Sequence, residues 1–347
     1  MSQGVLRGLT EGPLNTRYSS RPKHGNGARA AAHATPAHFD LRRTRGLPLI
    51  SKPLGRCSIV CGRKGGPPLR TVLFCFVVTL ALGCTSPESL RLYVLDCGRI
   101  SFGSPAPFGV SDSETDARQL AVPCYVVEHQ KGRLLWNAGM PSELARKGWV
   151  DPPPQTIKDP TVQVRLDRTL ADQLSDVSLT MASFDFVAFS HMHFDHVGTV
   201  NELSGATFLT NEAEYDAAFA DPVTVPLFNP VYYSGLRETK RLTVKGEHDV
   251  FDDRRVRIIP APGHTPGHQI LFIDLQETGP IVLGGDLYFF PASHELQRVP
   301  VFNVSEEQTR DSMRRVDALL QETGATLWIE HDPATFEGLR KVPEFYQ

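Results

Sequence analysis

Long apolar runs are scarce in this 347-residue chain. None reaches the roughly 20 residues that a membrane-spanning helix needs, which excludes a bundle of spanning helices. Cysteine is scarce too. Of six, Cys57, Cys61, Cys75 and Cys84 come early, and only Cys97 and Cys124 fall in the last 260 residues, too few for a disulfide framework to be read. Acids are nearly missing from the first seventy positions, which hold 13 Lys/Arg against Glu11 and Asp40. No internal repeat occurs, which excludes a solenoid. No G-x-S-x-G elbow follows residue 87, so the usual signature of a serine hydrolase is missing.

What is there divides into three parts. Residues 1–70, rich in Arg, Gly, Pro, Ala and Ser, cannot bury enough surface to offset their ordering entropy, so a basic disordered leader is expected. A start downstream of it, an organellar transit peptide and a short buried strand at 71–83 are the rival readings. Arg70, an apolar run over 71–83 and then Cys84-Thr-Ser-Pro87 fit the length window of a secretory signal, expected over 71–87. The ending Leu80-Ala-Leu-Gly-Cys84 resembles a bacterial lipoprotein box, although Ala81 stands where that box prefers Leu. That resemblance implies a lipid anchor at Cys84 and a periplasmic or outer-membrane-anchored protein. If the signal is not used, a cytoplasmic location is expected.

Residues 88–347 form the third part, an expected single mixed α/β domain. Beyond residue 70 the chain holds 37 acidic against 23 basic residues, which argues against nucleic acid as a partner. Strands are expected at Leu92–Asp96, Ala121–Glu128 and Arg133–Trp136, and a long loop over Met140–Val164. Leu166, Leu170, Leu174 and Val177 recur at helical steps. Asn211 with Glu214 reads as a capping box for a helix through Phe219. A longer helix is expected from Ser305, capped with Gln308, burying Met313, Val316, Leu319 and Leu320 and stopping at Gly324.

The strongest chemical signal follows the strand-like run Phe184-Asp-Phe-Val-Ala-Phe-Ser190. There His191, His193, Asp195 and His196 offer four ligands within six residues. Imidazole and carboxylate suit zinc and related divalent ions. In extended backbone His191 and His193 share a face, and a turn at Asp195-His196 could aim both side chains at a second ion. Three more apolar runs end the same way. Arg255–Pro260 leads to Pro262-Gly-His264-Thr-Pro-Gly-His268, Pro280–Gly285 leads to Asp286, and Ala325–Glu330 leads to His331. Ligands at neighbouring strand ends can converge on one sheet edge.

In these motifs, H-x-H-x-D-H, G-H-T-P-G-H, G-D and E-H-D in that order, the chain resembles the metallo-β-lactamase superfamily, and within it the N-acyl homoserine lactonases. The resemblance covers the chain from about Leu90 onward. It implies a four-layer αβ/βα sandwich with a dinuclear metal site between the sheet edges. It implies His191, His193 and His264 on one metal, Asp195, His196 and His331 on the other, and Asp286 between them. His268 matches no ligand and is expected to support the loop behind the metals. Two departures stand out. The family commonly carries a Tyr three residues after the bridging Asp, whereas here Phe289 holds that place and Tyr288 precedes it. A catalytic Tyr288 is one reading, at the cost of a reversed side-chain direction. Asn137 replaces the Asp of the family's Asp-Thr-Gly strand end, keeping hydrogen-bonding capacity and losing a charge.

Two divalent ions, most simply Zn²⁺, would share a hydroxide that attacks a lactone or ester carbonyl, and Asp195 would carry the proton to the leaving oxygen. The expected activity is hydrolytic opening of N-acyl homoserine lactones, a quorum-quenching reaction, with Phe194 and Phe289 among the aromatic residues that could hold the acyl chain. A glyoxalase II-like thioesterase and a phosphotriesterase are the alternatives within the superfamily. A non-enzymatic, metal-binding lipoprotein is the alternative outside it, disfavoured because its ligands would come from flexible His-rich tracts.

Overall fold

The computed structural model describes residues 90–347. The leader over 1–70, the signal over 71–87 and Cys84 lie outside the described residues. The first sheet contains β1 (Arg91–Ser101), β2 (Gln119–His129), β3 (Gly132–Trp136), β4 (Gln163–Arg165), β5 (Phe186–Ala188), β6 (Thr207–Asn211) and β7 (Arg241–Val244), in the order β4-β1-β2-β3-β5-β6-β7. The second contains β8 (His248–Asp249), β9 (Val256–Pro260), β10 (Gln269–Leu275), β11 (Gly279–Leu283) and β12 (Thr326–Trp328), in the order β12-β11-β10-β9-β8. The helices are α1 (Leu170–Ser175), α2 (Phe194–Val197), α3 (Glu212–Ala218), α4 (Pro291–Glu295), α5 (Glu306–Thr323) and α6 (Pro333–Gly338). No described helix is long and apolar enough to cross a membrane.

Strand periodicity explains the layering. In β1, Leu92 and Val94 join one buried cluster while Tyr93 and Leu95 join another, because successive side chains point to opposite faces. Both faces are apolar because both are covered. The cluster between the sheets packs Leu92, Val94, Tyr125 and Trp136 against Ile258, Leu271, Ile273 and Leu283. On the outer face of the first sheet, Leu95, Val126 and Val187 pack with Leu170 and Leu174 of α1. On the outer face of the second, Ile270, Phe272 and Val282 pack with Met313 and Val316 of α5. The result is the expected αβ/βα sandwich. Leu271 is fully buried between the sheets, so truncation to Ala there would cost about 2–5 kcal/mol.

The helix signals read from the sequence act as follows. Ser305 accepts from the Gln308 amide and Gly324 closes α5 in the left-handed conformation. Asn211 caps α3 through the Ala213 amide, but Glu214 does not complete a capping box. It turns inward and is buried, because three donors from the neighbouring loops claim its carboxylate. The loop expected over 140–164 is irregular apart from a short turn at Ser142–Leu144 and the start of β4.

Cys97 and Cys124 form a disulfide that the sequence alone did not reveal, with Cα atoms 5.8 Å apart. The register of β1 against β2 shifts between Asp96 and Arg99, and Cys97 lies within that irregularity. Gly139 sits directly over the bridge at φ +61°, and a Cβ there would lie 2.4 Å from the Cβ of Cys97.

Candidate metal centre

The chemistry-bearing residues follow strand ends in both sheets. Asn137 follows β3, His191 to His196 follow β5, His264 and His268 follow β9, Asp286 follows β11 and His331 follows β12. Backbone hydrogen bonds stitch these ends together: Gln269 N–H donates to Ser190 O, Gly284 N–H to Trp328 O and Ala121 N–H to His331 O.

Two groups result, both buried. In the first, His191 Nε2 and His193 Nδ1 are 2.8 Å apart, and His264 Nε2 is 3.2 Å from each. In the second, Asp195 Oδ2 lies 3.6 Å from His196 Nε2 and 4.0 Å from His331 Nε2. Asp286 stands between them. Its Oδ2 is 3.3 Å from His264 Nε2, and its Oδ1 is 3.1 Å from His196 Nε2 and 2.9 Å from His331 Nε2.

The donor set fits two divalent cations. Metal–nitrogen bonds of about 2.0–2.1 Å in a tetrahedron put neighbouring ligand nitrogens about 3.3 Å apart, close to the spacing of the first trio. His196 Nε2 is buried and makes no hydrogen bond, an orphaned ring nitrogen that a cation would satisfy. Burial holds His191, His193 and His264 below the usual histidine range, so they present neutral nitrogens, the form a metal requires. For Asp286 burial opposes the charge, but the neighbouring histidines, His331 foremost, outweigh it and keep the carboxyl well below its usual range. For His331 burial again opposes the charge, and Asp286 and Asp195 overcome it, pushing the imidazole up to about 10.

Each ring is oriented by its other nitrogen. His193 Nε2 lies 3.1 Å from Pro226 O, His264 Nδ1 2.9 Å from Asn303 Oδ1, and His331 Nδ1 2.6 Å from Ala121 O. Such partners fix the tautomer and leave the inward nitrogen free. Ser190 Oγ serves two rings at once, 3.0 Å from His191 Nδ1 and 3.1 Å from His196 Nδ1. His268 accepts the Asp286 N–H at Nε2 and meets Ala261 O with Nδ1, so it orients the backbone of Asp286. Burial lowers its pKa to about 3, consistent with a neutral acceptor. Gly285 makes this contact possible, because a Cβ there would lie 2.5 Å from His268 Nε2.

The backbone alternation after Asp286 separates the two aromatic candidates. Tyr288 is brought not to the metal ligands but to the α5 side of the second sheet, edge-on to His294 at 4.9 Å. Phe289 faces the site and stacks parallel on the His331 ring at 5.2 Å. The reading of Tyr288 as a catalytic group thus meets the reversed direction that extended backbone imposes. Phe194, from α2, lies with Phe289 in the wall of a cavity of about 330 Å³ that opens onto His193, Asp195, Asp286 and His331.

Sequence reasoning overlooked several supports. Glu214 accepts from Met192 N–H, Gly267 N–H and Thr265 Oγ1, tying together the two loops that carry the first trio. Burial pushes its carboxyl up to about 7. Glu330, buried beside His331, accepts from Gly285 N–H and Asn137 Nδ2. The signal available in the sequence was an acid placed at the end of an apolar run, next to a ligand.

Residues 117–323 match the family model of the metallo-β-lactamase superfamily. The N-acyl homoserine lactonase AttM of Azorhizobium caulinodans is 26% identical over 269 residues, covering 74% of this chain and 98% of that protein. The N-acyl homoserine lactonase AiiA of Bacillus thuringiensis subsp. kurstaki is 24% identical over 268 residues, with the same coverages. Among solved structures, a variant of B. thuringiensis AiiA with N-decanoyl-L-homoserine bound at its active site superposes with a TM-score of 0.63 at 22% identity, covering 74% of this chain and 98% of that one. AidC, a dizinc quorum-quenching lactonase in complex with a product, gives 0.55 at 18% identity, covering 75% and 94%. The family match spans more than half of the chain, and the sandwich and its ligand order agree with it: this protein belongs to the metallo-β-lactamase superfamily, as a metal-dependent hydrolase.

Proposed function

We propose that the protein opens the lactone ring of N-acyl homoserine lactones, using two zinc ions. His191, His193 and His264 would hold one, Asp195, His196 and His331 the other, with Asp286 shared. One observation carries this reading. The cavity over the ligands ends in His193, Asp195, Asp286 and His331 and is walled by Phe102, Phe108, Leu120, Phe194, Phe289 and Phe302. A substrate with a hydrolysable ring at one end and an acyl chain at the other matches a polar floor under apolar walls. The relatives named as N-acyl homoserine lactonases, and the neighbour with an N-acyl homoserine bound, support it.

When bound, two such ions act as Lewis acids on the carbonyl oxygen and lower the pKa of water toward about 7. The chain's own residues do the rest. Asp195 lines the cavity beside His331 and is placed to hand a proton to the ring oxygen as it leaves. Phe289, flat on His331, keeps bulk water from that side of the floor. Its ring carries no hydroxyl, so the carbonyl receives no phenolic hydrogen bond from this wall. The aromatic walls bind the acyl chain by burial, at about 0.8 kcal/mol per methylene, so kcat/KM should rise by up to about fourfold per added methylene until the cavity is filled.

Initial rates of the zinc-loaded protein on short- and long-chain N-acyl homoserine lactones, S-lactoylglutathione, a cephalosporin and an aryl phosphotriester test the reading. The lactones should be fastest. Lactone rates no faster than buffer, with the glutathione thioester cleaved, would overturn it.

An extracytoplasmic location and an anchor at Cys84 belong to the same proposal. The Cys97–Cys124 disulfide supports the location, since such bonds persist in oxidising compartments. Fractionation of cells producing the full chain, compared with a Cys84→Ser variant, tests this; recovery of both in the cytoplasm with two free thiols at Cys97 and Cys124 would contradict it.

A further inference from the structure

Behind the ligands, a hydrogen-bonded line of buried side chains joins the two sheets. Asn137 stands at the end of β3 at φ +62°, a left-handed conformation that Asn tolerates better than most residues. Its Oδ1 accepts from the Ser190 amide at 2.9 Å and lies 3.3 Å from Ser190 Oγ. Its Nδ2 donates to Glu330 Oε2 at 3.1 Å. The other oxygen, Glu330 Oε1, accepts from Gly285 N–H at 2.6 Å, one residue before Asp286. From Ser190 the line continues to the Nδ1 atoms of His191 and His196, one ligand in each group. Asn137 and Glu330 are 0% and 1% exposed.

The polarity of this line is fixed from both ends. Ser190 N–H and Gly285 N–H can only donate, so Asn137 must aim its oxygen at the first and its amide group at Glu330. Both oxygens of Glu330 then accept, the pattern of a carboxylate. Those two donors, one following a strand of each sheet, hold the carboxyl group in place.

We infer that Asn137 and Glu330 act as one positioning unit, in which Asn137 at the end of β3 and Glu330 at the end of β12 clasp each other across the two sheets and hold both metal positions in register through Ser190 and Gly285. The inference rests on the two-ion reading of the site but not on the identity of the substrate. Neither residue touches substrate, so both are positioning residues.

The test is a swap. N137D alone would put two carboxylates face to face at the 3.1 Å contact, and E330Q alone would set two amide donors against each other or strip Gly285 N–H of its acceptor. N137D/E330Q reverses the donor and acceptor while keeping one carboxylate and every backbone contact. Zn²⁺ affinity by chelator competition, and the visible spectrum of the Co²⁺-loaded protein, are the readouts. Each single variant should bind Zn²⁺ at least about tenfold more weakly, about 1.4 kcal/mol, with an altered Co²⁺ spectrum. The double variant should return to within about threefold of the parent, with the parent's spectrum. If N137D does not fold, rescue of E330Q by adding N137D still decides the matter. A double variant no better than E330Q, or single variants that bind two Zn²⁺ as the parent does, would overturn the inference. Because neither readout uses a lactone, a failed lactonase assay leaves this result standing, and the reverse also holds.

Discussion

The two halves of the ligand cluster are built on different principles. The first is a trio of imidazoles that burial keeps neutral, their nitrogens 2.8–3.2 Å apart. The second has Asp195 among its ligands, is wider at 3.6 and 4.0 Å, and raises its histidines, His331 to about 10. The first position is set by packed loops and suits a cation by geometry, whereas the second attracts one by charge. Asp286 offers one oxygen to each. The candidate ligands of the two groups are therefore not interchangeable.

The most damaging test of that contrast removes what both halves share. Asp286→Ala should lower kcat/KM by about a thousandfold or more, at least about 4 kcal/mol, and metal analysis should find fewer than one ion per chain. Asp195→Asn should discriminate between the halves. It should leave the first ion bound, weaken the second, and lower kcat by about a hundredfold through lost proton delivery; loss of both ions from this variant would erase the distinction drawn here.

Smaller changes sharpen the picture. Glu214 makes its contacts beside the first trio, through Met192 between His191 and His193 and through Thr265 and Gly267 after His264. Glu214→Gln keeps one acceptor oxygen and places an amide donor against N–H and O–H donors, so stability should fall by about 1–3 kcal/mol by denaturant titration. The first ion should weaken more than the second. Tyr288→Phe should change kcat/KM by no more than about twofold, since its ring lies on the α5 side of the second sheet. A large loss in that variant would bring Tyr288 back into the reaction.

The candidate ligands stood out in the sequence because metal chemistry concentrates rare residue types. Three histidines and an aspartate within six positions have little use in packing, and each remaining ligand closes an apolar strand. The strand runs made a mixed α/β domain legible, while the sandwich itself came only with the family resemblance that the ligand motifs carry. What stayed hidden depends on distance or on direction. Asn137 and Glu330 are 193 positions apart, and nothing local announces that one donates to the other. Glu214 follows Asn211 at the spacing of a capping box, so the local rule gave it a surface role until three donors from distant loops claimed it. The choice between Tyr288 and Phe289 turned on a single step of alternation, which composition cannot show. Cys97 and Cys124 pair across a register irregularity, a feature of the ladder and not of the spacing.

In the proposed reaction the two metal positions act together on a lactone. Stepwise addition of Zn²⁺ to chelated protein, with ring opening of an N-acyl homoserine lactone followed at each step, tests it most directly. Activity should stay low through the first equivalent and rise with the second to a plateau at two ions per chain. A plateau at one equivalent, or no ring opening with two ions bound, would rule out joint action of the two positions on a lactone.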